Sequence, residues 1–176
     1  APRTAEVRAR VAGIVLQRVF HEGSEVKAGA VLFRIDPAPL QAEVDSAAAA
    51  LRKAEASAFQ ARRLAERYAA LVESEAISRQ AQDDAQGASL QAQAEVAAAQ
   101  AALKRARLNL GYATVTAPIA GRIGKALVSE GALVGQGDAT PLAIIQQLDP
   151  IHADVTQSTR QLKALRDALS LSLIHI

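Results

Sequence analysis

The run LQAEVDSAAAALRKAEASAFQARRLAERYAALVE, residues 40–73, decides the architecture. It contains neither Pro nor Gly. Stepping by alternate fours and threes from Leu40 gives Val44, Ala47, Leu51, Ala54, Ala58, Ala61, Ala65, Tyr68 and Val72. Every one is apolar, which is a heptad seam. A second seam runs back from Leu110 through Ala106, Leu103, Ala99, Val96, Ala92, Ser89, Ala85 and Gln82, and it weakens toward its start. Across residues 40–110 Ala supplies 24 of 71 residues. A long Pro-free stretch of Ala, Gln, Glu, Arg and Leu predicts helix, and seams built on Ala let two helices approach closely.

The ends of these helices are marked. Asp36 is a good N-cap and Pro37 suits the first helical position. Pro39 has no N–H to offer, so the Asp36 carboxylate is expected to bond the N–H of Ala38. The chain reverses at Ser74-Glu75-Ala76-Ile77, Ser78 caps the second helix, and Gly111 is expected to end it. Each helix has roughly 33 residues, about 50 Å at 1.5 Å per residue. Gly87 falls off the seam and carries no assigned role.

Working outward, the two flanks are rich in Val and Ile and broken by Gly, which predicts short strands and turns. They repeat each other. Val11-Ala12-Gly13 aligns with Ile119-Ala120-Gly121, Glu22-Gly23 with Glu130-Gly131, Val26 with Val134, and Gly29 with Gly137, always 108 positions apart. The structural glycines of this repeat are Gly13, Gly23, Gly29, Gly121, Gly131 and Gly137. Each is expected where a turn needs positive φ or a neighbour comes close. Each half reads strand, turn, strand, and one half is too small to bury a core. The two should close on each other as a β-sandwich with the hairpin inserted between them. The fold class is therefore α+β.

Composition excludes several functions. There is no Cys among the 176 residues, hence no disulfide, thiolate metal site or cysteine nucleophile. His21, His152 and His175 have no ligand spacing, so no metal site is expected. A net charge of +2 with 3% aromatics argues against a nucleic-acid partner. No apolar run is long enough to span a bilayer. No triad, paired carboxylates or phosphate loop sits at a credible spacing, so no catalytic residue, cofactor or enzyme activity is expected.

The flanks resemble the two halves of a lipoyl/biotinyl domain. The resemblance lies in Val19-Phe20-His21-Glu22-Gly23-Ser24-Glu25-Val26-Lys27-Ala28-Gly29-Ala30-Val31-Leu32 and in Val115-Thr116-Ala117-Pro118-Ile119-Ala120-Gly121-Arg122-Ile123. In carrier members a lysine on the turn between the halves bears the cofactor. Here the hairpin replaces that turn, and Lys27 lies in another one. Together with Phe33-Arg34-Ile35-Asp36-Pro37-Ala38, Asn109-Leu110-Gly111-Tyr112 and Gln146-Gln147-Leu148-Asp149-Pro150-Ile151, the whole resembles the periplasmic adaptor (membrane fusion protein) family of resistance-nodulation-division (RND) multidrug efflux pumps, over about residues 3–170.

That resemblance implies a domain plan and a set of partners. Residues 3–36 and 112–148 would form the lipoyl-like sandwich, 37–111 the hairpin, and 149–170 the truncated start of a β-barrel domain. Residues 171–176 depart from the family and read as a non-native tail, and the family's membrane anchor is absent from this fragment. Arg67, Leu71 and Ser78 match the family's Arg-Leu-Ser signature at the hairpin tip, which implies contact with an outer-membrane channel. The other implied partners are an inner-membrane RND transporter and further copies of the chain in a hexamer. The implied location is the periplasm of a Gram-negative bacterium, attached to the inner membrane. Mixed charges along the helices, among them Arg52, Arg62, Glu66, Asp83 and Lys104, suit lateral contacts between hairpins. The alternatives are an adaptor of a type I secretion or ABC-type exporter and, remotely, a biotinyl or lipoyl carrier.

Overall fold

The computed structural model describes residues 3–73 and 76–148. The barrel start expected at 149–170 and the tail at 171–176 lie outside the described residues. Eight short strands flank two long helices. β1 (Thr4–Val7), β2 (Gly13–Arg18), β3 (Glu25–Val26) and β4 (Val31–Ile35) precede α1 (Ala38–Glu73) and α2 (Arg79–Tyr112). β5 (Thr114–Thr116), β6 (Gly121–Ile123), β7 (Leu133–Val134) and β8 (Ala143–Gln146) follow. Each half thus holds four strands, more than the strand–turn–strand read from its pattern. The added strands are too short for their alternation to register.

The halves interleave. One sheet has the order β1-β8-β6-β3 and the other β5-β4-β2-β7, so each sheet draws two strands from each half. The repeat explains this order. Val15 pairs with Ile35 in one sheet as Ile123 pairs with Ile145 in the other, and Gly13 pairs with Val134 as Gly121 pairs with Val26. The offset of 108 becomes 110 at β8, because the second half carries two extra residues after Gly137. The core repeats as well. Val15 and Ile123, Leu32 and Leu142, and Ile35 and Ile145 are three matched pairs of fully buried side chains. Phe33 breaks the symmetry. It meets Phe20 edge-to-face with ring centroids 5.3 Å apart, where the other half has Ala143 and Val128.

The two helices form an antiparallel hairpin. All ten seam positions of α1 and all nine of α2 are buried or half-buried, while Gly87 is exposed. Val44, Leu103 and Ala106 form a buried cluster near the base. Leu40, Leu110 and Tyr112 reach into the sandwich core and tie the hairpin to it. The Asp36 carboxylate accepts from the Ala38 N–H at 3.0 Å, as the placement of the two prolines demands. Gly111 does not end α2. The helix runs on through Tyr112, and Ala113 caps it in right-handed conformation, with its N–H bonded to Leu110 and Gly111 carbonyls. Tyr112 is held in the last turn by packing on the core, so the helix has no need of a left-handed glycine there.

Candidate functional site

Three features of the fold can carry function: the hairpin tip, the junction of hairpin and sandwich, and the outer faces of the sandwich. At the tip, Arg67 and Leu71 lie one turn apart near the end of α1. Tyr68 and Val72 occupy the seam, which leaves Arg67 exposed beside it and Leu71 40% exposed. The Ala76 N–H bonds the Leu71 carbonyl at 3.0 Å and begins the reversal. Ser78 then opens α2 from an extended backbone, φ −74° and ψ 152°, with its hydroxyl accepting from the Ala81 N–H at 3.2 Å. The fold therefore brings Arg67, Leu71 and Ser78 to one end of the rod. Ser78 has a capping duty whatever else it does.

The junction holds a cleft of about 780 Å³ between β1, β5 and the end of α2. Its guanidinium groups are already engaged. Arg8 donates to the Glu6 carboxylate at 2.7 and 3.0 Å, and Arg10 stacks over the Tyr112 ring at 4.4 Å. Among the described residues no cluster of three or more His, Asp or Glu could hold a metal ion, and no helix is long and apolar enough to cross a membrane.

The repeat glycines serve the clasp between halves. Gly23, Gly29, Gly131 and Gly137 take φ of 75° to 93°, the left-handed region that other residues enter at a cost. Gly13 and Gly121 are needed for closeness. A Cβ on Gly13 would lie 2.6 Å from Ile35 Cγ2, and one on Gly121 would lie 2.5 Å from the Gln146 carbonyl oxygen. The repeated glutamates do work that the pattern alone did not reveal. The Glu22 carboxylate accepts from the Ala126 N–H at 3.0 Å, and Glu130 accepts from the Arg18 N–H at 2.8 Å. Residues 18 and 126 are themselves repeat partners. Each half thus reaches across and fastens the other at the equivalent point. Beside them the Gly23 N–H bonds the Ile123 carbonyl, and the Gly131 N–H bonds the Val15 carbonyl. Only the recurrence of Glu-Gly hinted at this, since a cross-half acceptor has no local signature.

A lipoyl-type sandwich opened between its halves by a long helical hairpin, with no carrier lysine and no enclosed reaction site among the described residues, is the architecture of a membrane fusion protein. Residues 3–146 match the RND MFP barrel-sandwich hybrid domain, and the chain belongs to that family, the periplasmic adaptors of RND multidrug efflux. It is 51% identical over 175 residues to the multidrug export protein AcrE of Escherichia coli, covering 99% of this chain and 46% of that one. It is also 51% identical over 170 residues to the E. coli multidrug efflux pump subunit AcrA, covering 97% and 43%. The chain thus spans less than half the length of these relatives. Among solved structures, ZneB from Cupriavidus metallidurans superposes with a TM-score of 0.59 at 28% identity, over 82% of this chain and 61% of that one.

Proposed function

We propose that this chain is the sandwich-and-hairpin portion of a periplasmic adaptor, which joins an inner-membrane, proton-driven RND transporter to an outer-membrane channel in a tripartite multidrug efflux pump. The observation that carries the reading is the rod itself. A 36-residue α1 extends about 54 Å, and its only broad support among the described residues is an antiparallel mate. Such an element reaches and touches; it does not enclose a substrate. The kinship to proteins named as a multidrug export protein and a multidrug efflux pump subunit supports the system in which that reach is used.

Within this reading the sandwich occupies residues 3–36 and 112–148 and the hairpin 37–111. The adaptors ring into a hexamer in the periplasm, attached to the inner membrane, and transport energy comes from the transporter. Arg67, Leu71 and Ser78 meet the helical tip of the channel. The guanidinium offers a forked donor to carbonyl or carboxylate oxygens, and Leu71 offers an apolar knob. A cysteine at position 71 of the full-length protein should cross-link to the channel in cells, and Leu71→Ala should raise drug susceptibility. If variants at Leu71 and Ser78 leave both cross-linking and resistance intact, the tip assignment fails.

A further inference from the structure

We propose that Arg79 is a further docking residue at the hairpin tip, receiving a carboxylate of the outer-membrane channel on the flank opposite Leu71. The proposal rests on the adaptor reading and adds a second flank to the tip contact.

The register of the hairpin places this residue. Arg79 opens α2. Val44 meets Ala106 at the base, and Phe59 borders a groove with Gln93 midway along the rod. The same antiparallel register carried to the tip sets Arg79 level with Leu71. The heptad then gives the flank. Arg62 and Gln93 line the midway groove together, and Arg79 stands two heptads before Gln93, so it lies on their side of the rod. Arg62 follows a seam residue, Ala61, whereas Arg67 and Leu71 each precede one, Tyr68 and Val72. Arg67 and Leu71 therefore share the other side. Contact through those two alone would leave the exposed Arg79 uncovered.

The fold itself gains nothing from this cation. Among the described residues the Arg79 guanidinium enters no ion pair or hydrogen bond. Asp83 lies one turn on, but with the cation N-terminal to the anion the order is the weaker one for such a pair. Arg79 also occupies the first helical position, where the helix macrodipole disfavours a cation, and no acidic residue shares that turn. At the base of the rod, charge and dipole agree instead: Glu43 and Asp45 lie near the start of α1, and Lys104, Arg105 and Arg107 toward the end of α2. Arg79 thus adds to the positive end of α2 where an anion would have relieved it. A partner carboxylate answers that charge and can take two parallel bonds from the planar guanidinium.

The test uses the full-length protein in cells, with the cysteine at position 71 reporting contact with the channel. Arg79→Glu sets like charges against each other, so it should cut that cross-link about tenfold and raise drug susceptibility. Arg79→Lys, which keeps the charge and loses the fork, should cut it less. The helical signal of purified Arg79→Glu should melt at the same or a higher temperature, because an anion suits the start of a helix. A lower melting temperature would make the loss structural and overturn the proposal. A lysine at one of the acidic residues on the channel's tips should restore the cross-link to Arg79→Glu, and no rescue at any of them would overturn the carboxylate partner. If Arg79→Glu leaves cross-link and resistance intact while Leu71→Ala still lowers resistance, Arg79 is no docking residue and the tip reading stands. If neither variant changes resistance, the tip reading fails and this proposal fails with it.

Discussion

Gly13 and Gly121 are repeat partners, but alanine should not cost the same at the two positions. At Gly13 the new Cβ meets a side-chain methyl, Ile35 Cγ2, at 2.6 Å. Ile35 is buried, yet its methyl can swing away by the roughly 0.8 Å that ordinary contact needs through side-chain torsion, without moving backbone, at the lower end of overpacking costs, about 1 kcal/mol. At Gly121 the new Cβ meets backbone: the Gln146 oxygen at 2.5 Å, its carbonyl carbon at 2.9 Å and Gln147 Cα at 3.2 Å. β8 would have to retreat from β6, which weakens the Arg122–Gln146 and Ile123–Ile145 pairing. That places Gly121→Ala at or above the upper end of overpacking costs, about 3 kcal/mol. Both variants gain the same small amount from a stiffer unfolded chain, and the φ of 158° at Gly121 strains an alanine in the same direction as the clash, so a difference of about 2 kcal/mol survives. Far-UV dichroism is dominated by the helices and reads the wrong part of the molecule. Amide hydrogen exchange at Ile123 and Ile145 reads the sandwich directly. Exchange there through global opening should be about 30-fold faster in Gly121→Ala than in Gly13→Ala. Equal rates, or the reverse order, would refute the view that backbone closeness fixes this glycine.

Four further expectations follow from the same contacts. Leu103→Ala removes the largest side chain of the buried cluster at the hairpin base and should cost about 2–3 kcal/mol, read as a lower thermal midpoint of the helical signal. Glu22→Ala and Glu130→Ala each delete one cross-half acceptor and should each cost about 1 kcal/mol by urea denaturation. Arg18 joins the two clasps, its N–H held by Glu130 and its guanidinium paired with Glu22, so the double variant should depart from additivity by about 0.5 kcal/mol or more. Arg10→Ala removes the cation over Tyr112 and should cost about 0.5–1 kcal/mol, with faster amide exchange confined to the last turn of α2. Ser78→Ala should destabilise the first turn of α2 by about 1 kcal/mol, and Ser78→Asp, which keeps a capping oxygen, should restore it; a loss of resistance that Ser78→Asp fails to restore would assign the hydroxyl to the channel contact as well.

Much of this fold could be read from the chain, because its signals are local. Every position of the two heptad seams is buried or half-buried, since a two-helix rod has one interface and a fixed period. The Asp36 bond to Ala38 followed from two prolines that leave no other nearby donor. The repeat located the glycines, but it could not say which need positive φ and which need closeness. That distinction depends on partners a hundred residues away, as with Gly121 and Gln146. Gly111 misled for a related reason: packing of Tyr112 on the sandwich outweighs the helix-ending tendency of its neighbour. The interleaving of halves and the Glu22 and Glu130 clasps are non-local and became visible only when the strands were placed. The tip residues were legible solely through family likeness, because Arg67, Leu71 and Ser78 carry no periodicity that would separate them from other residues of an exposed helix end.

The distribution of contacts along the molecule bears on how such a connector works. The sandwich is fastened by backbone bonds and carboxylate clasps made twice over, and by large aliphatic pairs at its centre. The hairpin buries branched side chains fully only near its base, while Val96 and Val72 farther out are half-buried. Farther out, its fully buried positions are Ala65, Ala85, Ser89 and Ala92, each of which removes little apolar surface from water. Exposed pairs such as Arg62 and Arg63 with Glu66 add little to this. Stabilisation per turn therefore falls from the sandwich toward the tip, while the exposed Phe59 and Leu90 on the shaft leave apolar surface unused. An isolated rod built this way spends most of its order where it is rooted. Lateral neighbours along the shaft and a partner at the end would supply the rest, so assembly and docking should stiffen the same helices that perform them.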